Sequence, residues 1–529
     1  VGLIPRFSRI FLGDKEFNKK RYAKHLKNVV NNKICPTCKG QRLNSKILSS
    51  KIMSKNISDF TQMTIKENLE FLNKLEDPTA KYIIDPLKKQ LEALEYIGLS
   101  YLTLNRVTTT LSGGEAQRLK LIRHLNSSLS DLVYIIDEPS VGLHPEDIAK
   151  INEILKSLKD KGNTVLIVEH DPDVIKEGDY IIDMGPGSGK NGGEITFEGT
   201  YNELLSSNTS TGNALRNKHN LKENIREANH FYNIGPVTQN NLNNVKTSIP
   251  KHVLTVLTGV AGSGKSTLVK AGFENNDHTI FIDQKAVQGS NRSNLLTYLG
   301  VFDSVRSYFS KETGLNKAMF SYNSKGACPN CGGKGYIKTE LAFMGDFSQT
   351  CEVCHGKRYK QEVLDATIDG YSIADVLNLT VDEGIIFFDK KNDIKSKLQS
   401  VSKTGLNYMS LGQPLSTLSG GEIQRVKLAQ HLDEEIKNSI FIFDEPTTGL
   451  HESDIPILME CFDDLIDQNN TVILIEHNLS MMCEADWIID VGPGPGLDGG
   501  KVQFSGTPKN FIDSSETLTS KHLKRYINQ

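Results

Sequence analysis

The stretch Gly259 to Thr267, GVAGSGKST, has the residue types and spacing of a loop that holds phosphate. Its glycines, Gly259, Gly262 and Gly264, let backbone N–H groups, that of Ser263 among them, close around an anion without Cβ clashes. A helix opening at Lys265 adds the partial positive charge of its N-terminus. In this pattern Lys265 reaches the β- and γ-phosphates and the Ser266 hydroxyl, which completes the motif, binds Mg²⁺; Thr267 follows as a further candidate for the nucleotide. The apolar run Val253 to Leu257 in front of it reads as a buried parallel strand.

Hydrolysis needs carboxylates, a water-positioning group and a second anion site. Ile280 to Gln284 reads as another strand end, from which Gln284 could reach both Mg²⁺ and the lytic water. In LSGGEAQR, Ser112, Gly113 and Gly114 open a strongly helical run and expose its first amides. Leu132 to Glu138, LVYIIDE, reads as a buried strand; Asp137 holds the place of a Mg²⁺-organising aspartate, and Glu138 that of a residue polarising the attacking water. After a helix from about Glu146 to Lys161, a second buried strand, Thr164 to Val168, ends at His170, placed to sense a γ-phosphate. A turn and a short hairpin follow, through DMGPG and GGEITFEGT.

These anchors recur, each 307 residues on, from Gly98 (Gly405) to Gly187 (Gly494). LSGGEIQR brings Ser419, Gly420 and Gly421; IFIFDEP brings Asp444 and Glu445; TVILIEH brings His477. Such a constant displacement marks a tandem duplication. The phosphate loop occurs once.

Six of the eight cysteines form three C-x-x-C pairs, which in so long a chain point to metal in a reducing compartment and not to a disulfide scaffold. Cys328, Cys331, Cys351 and Cys354 have 19 residues between the two pairs, the spacing of a four-thiolate zinc site. The GKGYIKTELAFMGDFSQ between them alternates like a hairpin. Cys35 and Cys38 supply half of a tetrahedral set, its partners being either upstream of Val1 or absent. Cys461 and Cys483 stand alone and read as core residues.

The length fits roughly three to four domains. The net charge of −3 gives no support for a nucleic-acid partner, so any basic surface must be local. No apolar run approaches the ~18 residues of a membrane span. The basic residues 1–34 read as a solvated or a phosphate-facing helix, residues 64–97 as amphipathic helices, and the polar residues 205–235 as a linker or a surface excursion. Val1 falls in what reads as mid-domain sequence, so the chain is expected to be a fragment.

The phosphate loop, glutamine strand, LSGGE-Q-R, hydrophobic-DE and strand-end histidine resemble the set of ABC-type ATPases. CPNCGGKGYIK, CEVCHGKRY and CPTCKGQRL, with DEPSVGLH, DEPTTGLH and the GPG turns, resemble the UvrA family, damage-sensing ATPases of bacterial nucleotide excision repair. The resemblance runs from about Cys35 onward. It implies an α/β fold of tandem ABC-type P-loop ATPase heads with inserted helical and zinc-binding modules. It divides the chain into 1–95, the rest of a first insertion; 96–210, the C-terminal part of head I; 211–235, a linker; 236–290, the start of head II; 291–400, a zinc-containing insertion; and 401–529, the end of head II.

By the same resemblance, Gln284, Asp444, Glu445 and His477 act on ATP held by the phosphate loop and by Ser112, Gly113 and Gly114 of the other head. Asp137, Glu138, His170, Ser419, Gly420 and Gly421 are then parts of a second site without a P-loop. ATP, Mg²⁺ and Zn²⁺ are the implied cofactors. A cytoplasmic homodimer on damaged double-stranded DNA is the implied assembly, with no membrane, and with Arg292, Lys334, Lys338, Lys357 and Arg358 as candidate contacts. The family has a second P-loop and a UvrB-binding region that this chain lacks, so UvrB docking is not assigned to it. The departure of DQKAVQGSNRSN from the family pattern leaves open a paralogue serving antibiotic resistance. The twin ATPase motifs alone also allow a ribosome-associated protein; the zinc insertion argues against that and against a transporter subunit.

Overall fold

The computed structural model describes residues 33–75, 77–111, 113–125, 129–217, 220–274, 276–285, 293–341, 345–432, 434 and 436–528. The chain forms two compact units, residues 1–81 with 102–106, and residues 82–101 with 107–529.

In the first unit, Cys35 to Gly40 makes a tight knuckle, a single helical turn spans Ser45–Leu48, and the helices α1 (Ile57–Gln62) and α2 (Ile65–Asn73) follow. Each helix opens in a capping box, Asn56 with Asp59 and Thr64 with Glu67, two reciprocal bonds that satisfy the first free amides.

The second unit carries helix α3 (Lys81–Tyr96) from Tyr82 onward and then the two copies of the duplication. The first copy contains α4 (Gly113–Leu125), β1 (Val133–Asp137), α5 (Pro145–Asp160), β2 (Thr164–Val168), β3 (Ile181–Gly185) and β4 (Glu194–Gly199). Strands β1 and β2 are parallel; β3 and β4 form an antiparallel pair. Part of the stretch read as a linker is ordered instead: Thr209 caps the helix α6 (Ser210–Arg216) by accepting the Gly212 N–H.

The second copy opens with the hairpin β5 (Phe231–Gln239) and β6 (Leu242–Pro250), then β7 (Leu254–Thr258), α7 (Lys265–Phe273) and β8 (Thr279–Ile282). An insertion holds the hairpin β9 (Tyr336–Leu341) and β10 (Gly345–Thr350), the two-residue strands β11 (Thr367–Ile368) and β12 (Tyr371–Ser372), and the helices α8 (Ile373–Asn378) and α9 (Val381–Phe387). The copy closes with α10 (Gly420–Leu432), β13 (Ile440–Asp444), α11 (Ile455–Asp467), β14 (Thr471–Ile475), β15 (Trp487–Gly492), β16 (Lys501–Gly506) and α12 (Leu518–Ile527).

The central sheet runs β16-β15-β7-β14-β13-β8 and is parallel except for β16. Its inner strands are buried along their length and mostly apolar because helices cover both faces: Leu268, Val269 and Phe273 of α7 on one, Leu458, Phe462 and Leu465 of α11 on the other.

The first copy has the same registers. Val133 pairs with Thr164 as Ile440 pairs with Thr471, and the bulges at Asp183/Met184 and Asp490/Val491 also correspond. Yet among the described residues β2 and β3 do not pair, whereas β7 lies between their counterparts β14 and β15. A groove of about 390 Å³ lined by Leu166, Ile167, Ile181 and Ile182 occupies that position. The strands expected to be buried are therefore half-bare. Ile135 and Val168 are 74% and 58% exposed, against 1% for each of their equivalents Ile442 and Ile475.

The duplication also reaches further back than Gly98. Cys35, Cys38 and Arg42 match Cys351, Cys354 and Arg358 at a displacement of 316. Arg42 and Arg358 share a left-handed backbone, φ 64° and 70°, and the capping box of Thr64 recurs at Thr380 of α9.

Candidate functional site

The phosphate loop leaves β7 through Gly259, Gly262 and Gly264, all in conformations reserved for glycine (φ 130°, 74° and 104°). A Cβ on Gly259 would fall 2.0 Å from the Val491 carbonyl oxygen, so no other residue fits there. Lys265 is buried at the start of α7, and its Nζ donates to the carbonyls of Gly259 (2.8 Å) and Val260 (3.0 Å). Burial pushes its ammonium down to about 8, against the opposing pull of Glu445, Asp490 and Asp444. The Ser266 hydroxyl donates to Asp444 Oδ1 at 3.3 Å, a hydroxyl–carboxylate pair of the oxygen type Mg²⁺ prefers. The Ser263 hydroxyl is buried with no partner, and Thr267 accepts from the Asn240 amide at 3.3 Å.

Asp444 ends β13, and Glu445 follows in a left-handed backbone (φ 53°), a strain of roughly 1–3 kcal/mol that only a well-determined surround can hold. Burial, with Glu476 and Asp444 adding repulsion, pushes its carboxyl up to about 7. Gln284 donates to the Glu445 carbonyl (3.2 Å) and to Thr448 Oγ1 (2.9 Å). His477 is 6% exposed, its Nδ1 has no partner, and burial holds it well below the ordinary imidazole range.

Glu476 was not singled out from the sequence. It is buried and accepts N–H groups of Thr447 (3.0 Å), His477 (2.7 Å) and Asn478 (3.1 Å), tying the loop after β13 to the strand-end histidine. Glu169 does the same for Ser140, His170 and Asp171 in the first copy. The acid before each strand-end histidine, in VEH and IEH, was the available signal.

The first copy closes over this site. The Tyr101 hydroxyl donates to Glu115 in the first turn of α4 (2.5 Å), and its ring lies against the phosphate loop, where a Cβ on Gly262 would meet Cζ at 2.8 Å. A Cβ on Gly142 (φ 66°) would fall 2.8 Å from Glu445 Oε2. The rings of His144 and His477 meet edge to face at 5.8 Å. Helix α4 begins at Gly113 and continues through Gly114; Ser112 lies outside the described residues.

The converse contacts are also made. Tyr408 donates to Glu422 (2.8 Å) and packs on Gly189, where a Cβ would be 3.1 Å away. Gly449 faces Glu138 (3.7 Å from a Cβ to Oε1), and His170 Nδ1 stands 3.9 Å from the same oxygen. Burial raises the Glu138 carboxyl, with Asp137 adding to the effect. Ser419 caps α10 reciprocally with Glu422; a Cβ on Gly420 would lie 3.3 Å from Gln284, and one on Gly421 2.2 Å from the Thr448 carbonyl. Among the described residues no phosphate loop accompanies Asp137 and Glu138.

In the insertion, the sulfurs of Cys328, Cys331, Cys351 and Cys354 lie within 4.8 Å of one another, all buried. The separations of 4.0 Å (Cys328–Cys351) and 3.7 Å (Cys331–Cys354) are too long for disulfides. They match the edge, about 3.8 Å, of a tetrahedron with ~2.3 Å metal–sulfur bonds. The Gly335 N–H donates to Cys331 Sγ at 3.2 Å. The knuckle at Cys35 and Cys38 shares the backbone of that at Cys351 and Cys354: the Lys39 and His355 N–H groups bond to Cys35 and Cys351 carbonyls at 2.8 Å. Its Cys35 is exposed.

Of the candidate DNA contacts, Lys334 and Lys338 are exposed, Lys357 pairs with Asp375 at 3.4 Å, and Arg358 covers the Tyr322 ring at 5.4 Å. Arg292 lies outside the described residues. Cys461 and Cys483 are buried in the core beneath the sheet.

Residues 242–448 match the ABC transporter family. The chain is 42% identical over 97% of its length to UvrABC system protein A of Clostridium perfringens, and 41% identical over 99% to that of Aquifex aeolicus. It spans 59% and 61% of those two proteins. The crystal structure of UvrA2 from Deinococcus radiodurans superposes with a TM-score of 0.90 at 36% identity, covering 98% of this chain and 69% of that one.

Proposed function

The chain belongs to the UvrA family, and from that membership we propose that it is an ATP-hydrolysing, zinc-containing protein that binds damaged or distorted double-stranded DNA. The contact of Tyr101, Gly142 and His144 with the phosphate loop, Glu445 and His477 is the observation that supports the ATPase reading most directly. The glutamate of each half is approached by a glycine of the other, Glu445 by Gly142 and Glu138 by Gly449, as a nucleotide clamped between the halves requires.

In this reading the amides of residues 259–267 and Lys265 hold the phosphates, and Ser266 with Asp444 holds Mg²⁺. Glu445, ionised, polarises the lytic water that Gln284 orients. His477 and the N-terminus of α4, with Ser112, Gly113 and Gly114, meet the γ-phosphate. Asp137, Glu138, His170 and Ser419 to Gly421 are the parts of a second site that has no phosphate loop among the described residues. Zn²⁺ sits among Cys328, Cys331, Cys351 and Cys354 and ties the β9–β10 hairpin to the insertion.

DNA is read through its backbone and deformability, with Lys334, Lys338, Lys357, Arg358 and Arg292 near phosphates. The protein acts in the cytoplasm as a homodimer; docking of a UvrB-type partner is not assigned to this chain. No helix among the described residues is long and apolar enough to cross a membrane.

Two measurements test this. Ser112→Arg should impair ATP turnover as badly as a change at Lys265; full activity would refute the shared site. DNA affinity should fall steeply with salt as counterion release is lost, and a salt-insensitive or strongly sequence-selective interaction with undistorted duplex would refute the DNA reading.

A further inference from the structure

The loop Ser140 to His144 follows the paired acids of the first copy. His144 is fully buried. Its Nδ1 accepts the Glu146 N–H at 3.2 Å, and its Nε2 lies 3.0 Å from Thr519 Oγ1 on α12 of the second copy. The Thr519 hydroxyl donates to Asp490 Oδ1 at 3.3 Å, so the proton between histidine and threonine belongs to Nε2. His144 is thus a neutral ring with both nitrogens satisfied, and burial beside Lys265 holds it down at about 3. The rings of His477 and His522 flank it edge-on, each at 5.8 Å. His522 is itself 3.0 Å from Glu146. At the far end of this chain of bonds, Asp490 abuts the phosphate loop, where a Cβ on Gly259 would be 3.1 Å from Oδ1.

The arrangement occurs twice, with the halves exchanged. His451 of the second copy accepts the Ser453 N–H at 3.2 Å and lies 3.1 Å from Thr211 on α6 of the first. Thr211 donates to Asp183 at 2.8 Å. The threonines differ from the 307-residue displacement by one position, so no motif comparison aligns them.

We propose that His144, Thr519 and Asp490 form a latch between the two copies that positions His477 and the phosphate loop for hydrolysis, His451, Thr211 and Asp183 being its counterpart. The proposal rests on the ATPase reading above. His144 touches neither loop amides nor Lys265 by hydrogen bonds; it is a positioning residue. Without it, Thr519 loses its donor and His477 a packing face, while the phosphate cradle stays. Turnover should suffer and nucleotide affinity should not.

ATP hydrolysis and binding of a fluorescent ATP analogue are to be measured on the full chain. His144→Leu fills the space but lacks the donor, and Thr519→Val lacks the link; each should lower kcat by about 10- to 100-fold with Kd unchanged. His144→Gln, whose amide reaches Thr519, should restore most of the loss, and the double variant His144→Leu/Thr519→Val should be no worse than either single one. Wild-type kcat in His144→Leu, equal loss in His144→Gln, or a loss wholly in Kd would overturn the latch. If the unaltered chain hydrolyses no ATP, the ATPase reading fails by itself. The latch is then read from the ¹⁵N spectrum of His144, which should be the neutral Nε2–H form across about pH 5 to 8 and change with Thr519→Val. A protonated or Nδ1–H ring would overturn it.

Discussion

The two copies pair their strands in the same register and place the same acids at the same strand ends, yet one is a closed core and the other is half-bare. Ile442 and Ile135 differ in burial by nearly the whole range although their local sequences, IFIFDEP and VYIIDEP, are almost alike. The difference lies in what stands around them: in the second copy β8 borders β13, β7 borders β14 and α7 packs in the same core as Ile442, whereas among the described residues of the first copy no strand or helix corresponds to these. Local pattern sets strand, register and turn; burial is a property of the neighbours. For the hydrolysis proposed, the paired acids need a phosphate cradle, which among the described residues only the second copy provides.

The comparison can be broken first at the metal. The two knuckles share a backbone, but only Cys351 and Cys354 meet two further sulfurs. Cys328→Ser should remove a bound Zn²⁺ and unfold the β9–β10 hairpin, because structural zinc contributes about 10 kcal/mol or more to such modules. Cys35→Ser should leave zinc content unchanged. Elemental analysis checks both, with one tightly held zinc per chain expected.

Next come the acids. Glu445→Gln should reduce turnover by roughly 10²–10⁴-fold, the size of a lost general base, while Glu138→Gln should leave it nearly intact. Equal losses would mean that the copies are catalytically alike. For stability, Ile442→Ala should cost about 2–5 kcal/mol in denaturant unfolding, as a filled core position does. Ile135→Ala should stay within about 0.5 kcal/mol, as a bare surface position does.

The smallest effect is in pH. In the proposed mechanism Glu445 acts ionised, and its carboxyl is raised to about 7, so kcat/KM should fall as pH drops below that value. Lys265 acts protonated in the same proposal, and its ammonium is lowered to about 8, so kcat/KM should also fall above it. The narrow bell between them should lose its acid limb in Glu445→Gln.

Much of this was legible beforehand. The phosphate loop, the repeat and the four clustered cysteines are contiguous patterns whose spacing carries their chemistry. Glu476 was in plain view inside ILIEH, but nothing in a strand-end acid says that it gathers three amides. Tyr101, Gly142 and His144 were invisible as site residues because their partners lie in the other copy. The earlier reach of the repeat was hidden by the change of displacement from 316 to 307 between insertion and core. The bareness of β1 and β2 could not be read from runs as apolar as LVYII and TVLIV.

The central claim is that this chain makes one complete nucleotide site from two copies. Titration of the 529-residue chain with a slowly hydrolysed ATP analogue and Mg²⁺ tests it most directly. One nucleotide per chain, lost in Lys265→Ala and kept in Glu138→Gln, is the result expected; two equivalent nucleotides per chain, or binding that survives Lys265→Ala undiminished, would contradict it.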